Sequence, residues 1–390
     1  MEKVNYMKKY KILCLLDYYL PGFRAGGPVR SMLNFVENLG NEFEILIVCN
    51  NHDLKNKKSY RNVKIDSWNK VGKAKVFYAS RKNLTIIGLV KILKNIEYDL
   101  LYLNSFFSPK FTILPLFLRR FVIKKKKPCI ICPRGNFSPE AIKLKNFKKE
   151  VYLKLFKWLK LYQDLTWQAS SEHEKNHITK KISNKMRNIY VVPDFTPKPL
   201  QSLNDNFKSR EKGSLRLLFL SRISPMKNLD FLLKVLAKVE MFVELSIYGP
   251  KEDLDYWNFC QNLIKVLPNN ISVNVGKEIS FEKITNIFHK HDLFISPTRG
   301  EAFGNAIIES LSYGLPAMIS DKTLWKKDKL GGLEILRLDQ NSWVEAITKW
   351  SKFDGHILKK KRQAALDYAK HDYCNSLALK KNKELFYSAL

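Results

Sequence analysis

The chain has 390 residues, 45% hydrophobic and 27% charged, enough for two or three domains with separate cores. No stretch approaches the roughly 18 apolar residues of a membrane-spanning helix, which excludes an integral helical membrane protein. The balance is strongly basic, 68 Lys and Arg against 37 Asp and Glu for a formal +31. Lysine-rich genome bias is the plain explanation; an anionic substrate, an anionic membrane surface or nucleic acid are the functional ones, and charge alone does not choose among them.

In chain order, the apolar run Ile12 to Leu16 stops at Asp17. It is too short for a signal peptide and reads as a first buried strand, so a cytoplasmic protein is expected. A loop to Gly27 precedes a helix opened by Pro28, running to about Asn38 and closed by Gly40. Strands are predicted at Phe43 to Cys49, Lys75 to Tyr78, Leu100 to Leu103, Cys129 to Cys132, Leu165 to Ala169 and Tyr190 to Val192. The polar, proline-containing stretch Thr196 to Ser214 reads as a linker. The α/β rhythm then restarts with strand Leu215 to Leu220, helix Leu229 to Val239 and strand Val243 to Tyr248. Strands Ile271 to Val275, Leu293 to Ser296 and Ala317 to Ser320 follow, and the tail from Lys359 looks helical. The fold class expected is α/β with parallel sheets. Its domains are residues 1–195, a linker 196–214, a second domain 215–365 and a C-terminal helix 366–390. Two α/β halves imply a cleft, with ligands outside the carboxyl ends of the strands.

The most informative segment runs from Asp292 to Asp321. Glu301 falls in a loop after a strand, and Glu309 in the first turns of the helix that begins near Asn305. Amides around Phe303, Gly304 and Asn305 point out of a helix N-terminus, a ready anion site, and Gly304 permits close backbone approach. A carboxylate beside a phosphate site suits sugar or ribose hydroxyls; the plain alternative is acids complementing the helix dipole. In the other loop of this half, Arg222 and Lys227 follow strand Leu215 to Leu220 and suit a diphosphate, or are simply solvated. Gly26 and Gly27, before the first helix, allow amides to approach a phosphate, or form an ordinary turn.

In this order and spacing, these pieces resemble family 4 retaining glycosyltransferases of the GT-B fold, two facing Rossmann-like domains. Glu301 and Glu309 stand at the ends of that family's E-x7-E motif. The resemblance implies that Glu301 and the amides of Phe303, Gly304 and Asn305 hold the donor sugar and Glu309 the nucleotide ribose. It implies that Arg222 and Lys227 grip the diphosphate, that Gly26 and Gly27 form the N-terminal glycine loop, and that the terminal helix crosses back to the first domain. Leu101 to Pro109 and Pro133 to Glu140 resemble a bacterial subgroup acting in surface polysaccharide and O-antigen assembly. Asn104, where many relatives carry a His, and Arg134 are candidates for the acceptor side. The expected partners are a nucleotide-sugar donor and a saccharide acceptor, lipid-linked, with no metal, no cofactor and no nucleic acid. The rival readings are a basic nucleic-acid-binding protein and another GT-B reaction such as epimerisation.

Three other patterns compete. His173-Glu174-Lys175-Asn176-His177 is a literal H-E-x-x-H, but Ser171 and Glu174 also read as a capping box. Asp253-Leu254-Asp255 is a literal D-x-D at a helix start, where acids are favoured anyway. Six cysteines are scattered, and Cys129 and Cys132 face opposite ways on a strand, which favours core roles over zinc. Finally, Lys143 to Gln163 carries seven lysines and an apolar set of Phe147, Val151, Leu155, Trp158, Leu159 and Tyr162 at helical spacing. It either packs on its own domain or docks on an anionic membrane surface.

Overall fold

A computed structural model describes residues 9–123, 126–138, 142, 146–183, 186–203, 212–279, 281–301, 304–372 and 375–390. The chain forms two compact units, Met1–Phe195 with Asn375–Leu390, and Thr196–Cys374.

The first unit is built on strands β1 (Lys11–Leu15), β2 (Glu44–Asn50), β3 (Trp68–Val71), β4 (Ala74–Ala79), β5 (Leu100–Leu103), β6 (Cys129–Ile131), β7 (Thr166–Ala169) and β8 (Ile189–Val191). Their order is β3-β4-β2-β1-β5-β6-β7-β8, parallel throughout except for the β3–β4 hairpin. Apolar residues occupy both faces of the central strands, as parallel sheets require. On one face, Ile12, Cys14, Ile45 and Ile47 pack against helix α1 (Gly27–Leu39) and the terminal helix. On the other, Leu13, Leu15, Leu46 and Val48 pack against α2 (Ile86–Asn95), α3 (Leu114–Phe121), α4 (Asn146–Trp158) and α5 (Glu172–Lys181). Strand order reverses between β1 and β5, so their carboxyl ends border the switch point of this sheet.

The second unit has an all-parallel sheet, β11-β10-β9-β12-β13-β14. Its strands are β9 (Ser214–Leu220), β10 (Phe242–Tyr248), β11 (Ile271–Val275), β12 (Leu293–Ser296), β13 (Ala317–Ser320) and β14 (Leu333–Leu336). Helices α6 (Leu229–Leu236), α7 (Leu254–Lys265), α8 (Phe281–Lys290), α9 (Asn305–Ser312), α10 (Gln340–Ser351) and α11 (Gly355–Asp372) connect and follow them. Here the switch point lies between β9 and β12.

Two segments differ from expectation. Part of the presumed linker is packed on the second unit: Thr196 is buried, Leu200 N donates to Ser312 O at 3.0 Å and Lys370 Nζ reaches Gln201 O at 2.7 Å. Residues 204–211 of it lie outside the described residues. The tail is two helices rather than one starting at 366. Ala365, Tyr368 and Ala369 of α11 are buried in the second unit's core, because their i, i+3, i+4 spacing gives one apolar face. The segment that joins the first unit begins at Asn375, and its helix α12 (Ser376–Ala389) lays Phe386 against Phe35, Phe43 and Tyr102 with ring centroids 5.5, 5.6 and 5.5 Å apart. Phe386 is fully buried. Phe386→Ala is expected to destabilise the first unit by about 3–5 kcal/mol. Urea unfolding followed by circular dichroism checks this; an unshifted transition contradicts the packing role.

Candidate functional site

In the second unit the loops at the carboxyl edge of the sheet are tied to one another. Beyond β9 the chain crosses the turn after β10, where Ile223 N donates to Pro250 O at 2.9 Å. The crossing needs Gly249: its φ is +139°, and an added Cβ would lie 1.9 Å from Ser221 O. The β9 loop ends at Asn228, left-handed at φ +61°, whose Nδ2 donates to Pro297 O at 2.9 Å and whose Oδ1 accepts from Arg299 Nε at 3.0 Å. Arg299 N and Thr298 Oγ1 both donate to Met226 O, at 2.8 and 3.1 Å. The loop after β12 is thereby zipped to the loop after β9. Glu301 N donates to Lys322 O at 3.1 Å, which adds the loop after β13.

This lacing sets the Lys227 ammonium directly on the Glu301 carboxylate, both side chains partly buried. Three residues on, Gly304 sits at φ +78° as the N-cap of α9. A Cβ there would stand 2.7 Å from Ile307 Cδ1 and 3.0 Å from Glu301 Cγ, so glycine keeps the ground beside Glu301 open. With no side chain on the cap, the amide end of α9, beginning at Asn305, has no cap side chain occupying it. Glu309 lies one turn into the helix and is 4% exposed, deeper than a first-turn acid. Phe303 lies outside the described residues. Arg222 is not drawn to this cluster. Its Nη1 meets Glu252 Oε1 and Oε2 at 2.8 and 3.0 Å on the surface.

The first unit presents a second set. Gly26 takes φ +63° as the N-cap of α1, and an added Cβ would have open space around it. Gly27 starts the helix. The loop before them is clamped by Asp53, whose Oδ2 accepts from Phe23 N and Arg24 N at 3.0 and 3.2 Å. The two acceptor-side candidates do meet: Arg134 Nε donates to Asn104 Oδ1 at 2.7 Å. Arg134 also pairs with Asp194 and donates from Nη2 to Tyr102 Oη at 3.1 Å. Tyr102 Oη donates in turn to Gln168 Oε1 at 3.0 Å, and Gln168 Nε2 reaches Asn382 Oδ1 of α12 at 3.3 Å. At the switch point, Ser108 Oγ donates to Asp17 Oδ1 at 2.8 Å. Burial raises the Asp17 carboxyl above its ordinary range, against the opposing pull of Ser108 and Lys110.

The rival patterns resolve into structure. Glu174 is buried and accepts from Ser170 N at 2.8 Å, Ser170 Oγ at 2.7 Å and Gly135 N at 2.6 Å. Ser171 caps α5 as expected, but the Glu174 carboxylate turns to these neighbours. The His173 and His177 rings meet edge to face with centroids 4.2 Å apart, and no group of three metal-ligating side chains occurs among the described residues. Asp253 caps α7, accepting from Tyr256 N at 2.9 Å. Cys14, Cys49, Cys129, Cys132 and Cys260 are buried free thiols, Cys129 pushed up to about 11 by desolvation; Cys374 lies outside the described residues.

Residues 202–367, which include the whole Lys227–Glu301 cluster, match the family described as glycosyl transferases group 1. The chain is a glycosyltransferase. It is 24% identical over 372 residues to a 41.2 kDa protein in the cps region of Klebsiella pneumoniae, covering 90% of this chain and 93% of that one. It is 22% identical over 290 residues to the Escherichia coli UDP-Gal:alpha-D-GlcNAc-diphosphoundecaprenol alpha-1,3-galactosyltransferase, 68% of this chain and 69% of that one. The structure of Anabaena HepE in complex with UDP and glucose superposes with a TM-score of 0.66 at 16% identity, covering 97% of this chain and all of that one. The glycosyltransferase therefore has the GT-B type of fold, with two Rossmann-like units.

Sequence reasoning did not single out Asp17, Asp53, Asn228, Gly249 or Arg299. Gly249-Pro250 directly after a strand was the signal for one; the others become visible only through the loops they join. Asp17→Asn keeps an oxygen for Ser108 and removes the buried charge. A raised folded pKa means that ionisation opposes folding, so this variant should melt higher near pH 7. Its advantage should fade as pH falls through the raised value toward the ordinary 3.8. Thermal melts across this range check the sign, and a pH-independent difference contradicts it.

Proposed function

We propose that this glycosyltransferase moves a hexose or related sugar, with retention at the anomeric carbon, from a nucleotide-sugar donor to a lipid-linked saccharide in bacterial surface polysaccharide synthesis. The observation that carries the donor side is the contact between Lys227 and Glu301 beside the uncapped amide end of α9. A bare anion site has no use for a carboxylate; a phosphorylated sugar has use for both charges. The Escherichia coli relative, which takes UDP-Gal to a GlcNAc-diphosphoundecaprenol, and HepE, with UDP and glucose, support a donor and acceptor of this kind. The relative in the cps region is in keeping with the pathway.

In this reading the diphosphate takes Lys227 and the α9 amides, and Glu301, released from the lysine, accepts hydrogen bonds from sugar hydroxyls. Glu309 receives the ribose; its burial means that only a group seated against α9 reaches it. Arg222 joins by exchanging Glu252 for phosphate. That surface pair contributes at most about 1 kcal/mol, so the exchange costs little. Within the first unit, Gly26 and Gly27 offer backbone amides suited to phosphate, and Asn104 and Arg134 are the candidates for the acceptor side. The Asn104–Arg134–Asp194 network positions the Asn104 amide rather than leaving Arg134 as a mobile cation. As the C1–O bond to the diphosphate breaks, positive charge on the sugar and negative charge on the leaving phosphate grow together. Fixed cations and amides stabilise the latter, a term of roughly 3–4 kcal/mol per well-placed donor. The departing phosphate oxygen takes the acceptor's proton, and the acceptor oxygen attacks C1 from the face it left.

Thermal-shift screening against a panel of nucleotide sugars should identify the donor by raised melting temperature. With that donor, Arg222→Ala and Glu309→Ala should each lose at least about 100-fold in turnover with circular dichroism unchanged. Normal turnover in both would overturn the site. Chelation by EDTA should leave the wild-type rate unchanged, and a rate restored only by added divalent metal would contradict charge stabilisation by Lys227 and amides alone.

A further inference from the structure

Helix α4 has two apolar faces, and its unit uses one of them. Tyr152, Leu153 and Phe156 are buried in the core beneath it. On the opposite side Phe147 is 81% and Trp158 75% exposed, with Val151 and Leu155 exposed between them. The spacing i, i+4, i+8, i+11 places all four within about 80° of arc, a continuous stripe rather than scattered surface residues. In the same helical layer, α3 adds exposed Phe117 and Phe121, their rings 4.8 Å apart.

Charge says what covers this face. Lys148, Lys154 and Lys157 flank the stripe, all exposed. The helix has a single acid, Glu150, which faces Lys181 at 3.4 Å. From Ile86 to Asp164 the sequence holds 17 Lys and Arg against five Asp and Glu. A second copy seated by two-fold symmetry would set lysine against lysine. Nucleic acid would satisfy the lysines but leaves aliphatic Val151 and Leu155 at the centre, where a stacking platform would be needed. An anionic bilayer surface satisfies both features at once, with apolar side chains at the acyl boundary and ammonium groups among the headgroup phosphates. No described helix is long and apolar enough to cross a membrane, so attachment would lie in the interfacial plane.

We propose that α4 docks the enzyme on an anionic lipid surface, lying parallel to it with Phe147, Val151, Leu155 and Trp158 inserted. The inference does not depend on the identity of the donor, and it would bring a lipid-linked acceptor to the enzyme by confining both to one plane.

Flotation of the full chain with vesicles tests it. The chain should float with phosphatidylcholine containing roughly 30% phosphatidylglycerol and stay behind with phosphatidylcholine alone, and high salt should weaken the binding. The triple variant Lys148→Gln, Lys154→Gln, Lys157→Gln should lower partitioning about 100-fold, from roughly fivefold per surface lysine. Phe147→Ser with Trp158→Ser should lower it at least about tenfold. Because all five side chains are exposed, melting temperature should be unaffected. Equal flotation of the variants and wild type, or equal binding to neutral and anionic vesicles, would overturn the proposal. So would loss of a dimer, or of RNA binding, in the serine variant without a change in flotation.

Discussion

The contact between Lys227 and Glu301 depends on three loops that no single strand positions. Met226 O, Asn228 and Arg299 lace the loop after β9 to the loop after β12, and Glu301 N fastens both to the loop after β13. Opposite charges held in a partly buried pocket are costly to separate unless a ligand offers each a replacement. A phosphorylated sugar offers both: phosphate for the lysine and hydroxyls for the carboxylate. In the proposed reading, the pair is the neutral resting state of a donor site rather than a stabilising salt bridge. Gly304 completes the arrangement by leaving the end of α9 without a capping side chain.

The first unit uses the same architecture differently. Its switch-point residues are mostly neutral or already paired, with Arg134 shared by Asn104, Asp194 and Tyr102. Through Tyr102 and Gln168 this network extends to Asn382, so the terminal helix α12 supports the same polar cluster that carries the acceptor candidates. Asp17 is the exception. Burial raises its carboxyl above the ordinary range, against the hydrogen bond that Ser108 Oγ donates to it.

Much of this was legible in the sequence. The strand-loop-helix pattern around Glu301 and Glu309 gave their places because Gly304, Gly314 and Pro316 punctuate it. The pairing of Arg222 was not legible, since its partner Glu252 is 30 residues away and meets it only where two loops cross at Gly249. Periodicity picked out Phe147, Val151, Leu155 and Trp158 as one face of α4 but could not say whether that face packs or is exposed; burial places Tyr152, Leu153 and Phe156 in the core instead. Strand β3 went unread because Trp68–Val71 is a half-exposed edge with little apolar character. The tail was read as one helix since both of its halves are lysine-rich and amphipathic, and no proline or glycine marks the join.

The central claim is that Lys227 and Glu301 serve different parts of one ligand. Calorimetric titration of wild type, Lys227→Met and Glu301→Gln with the donor and with its nucleoside diphosphate tests it most directly. The account predicts that Lys227→Met weakens both ligands, whereas Glu301→Gln retains the diphosphate and loses the added affinity conferred by the sugar. Equal effects of both substitutions on both ligands, or none, would contradict it.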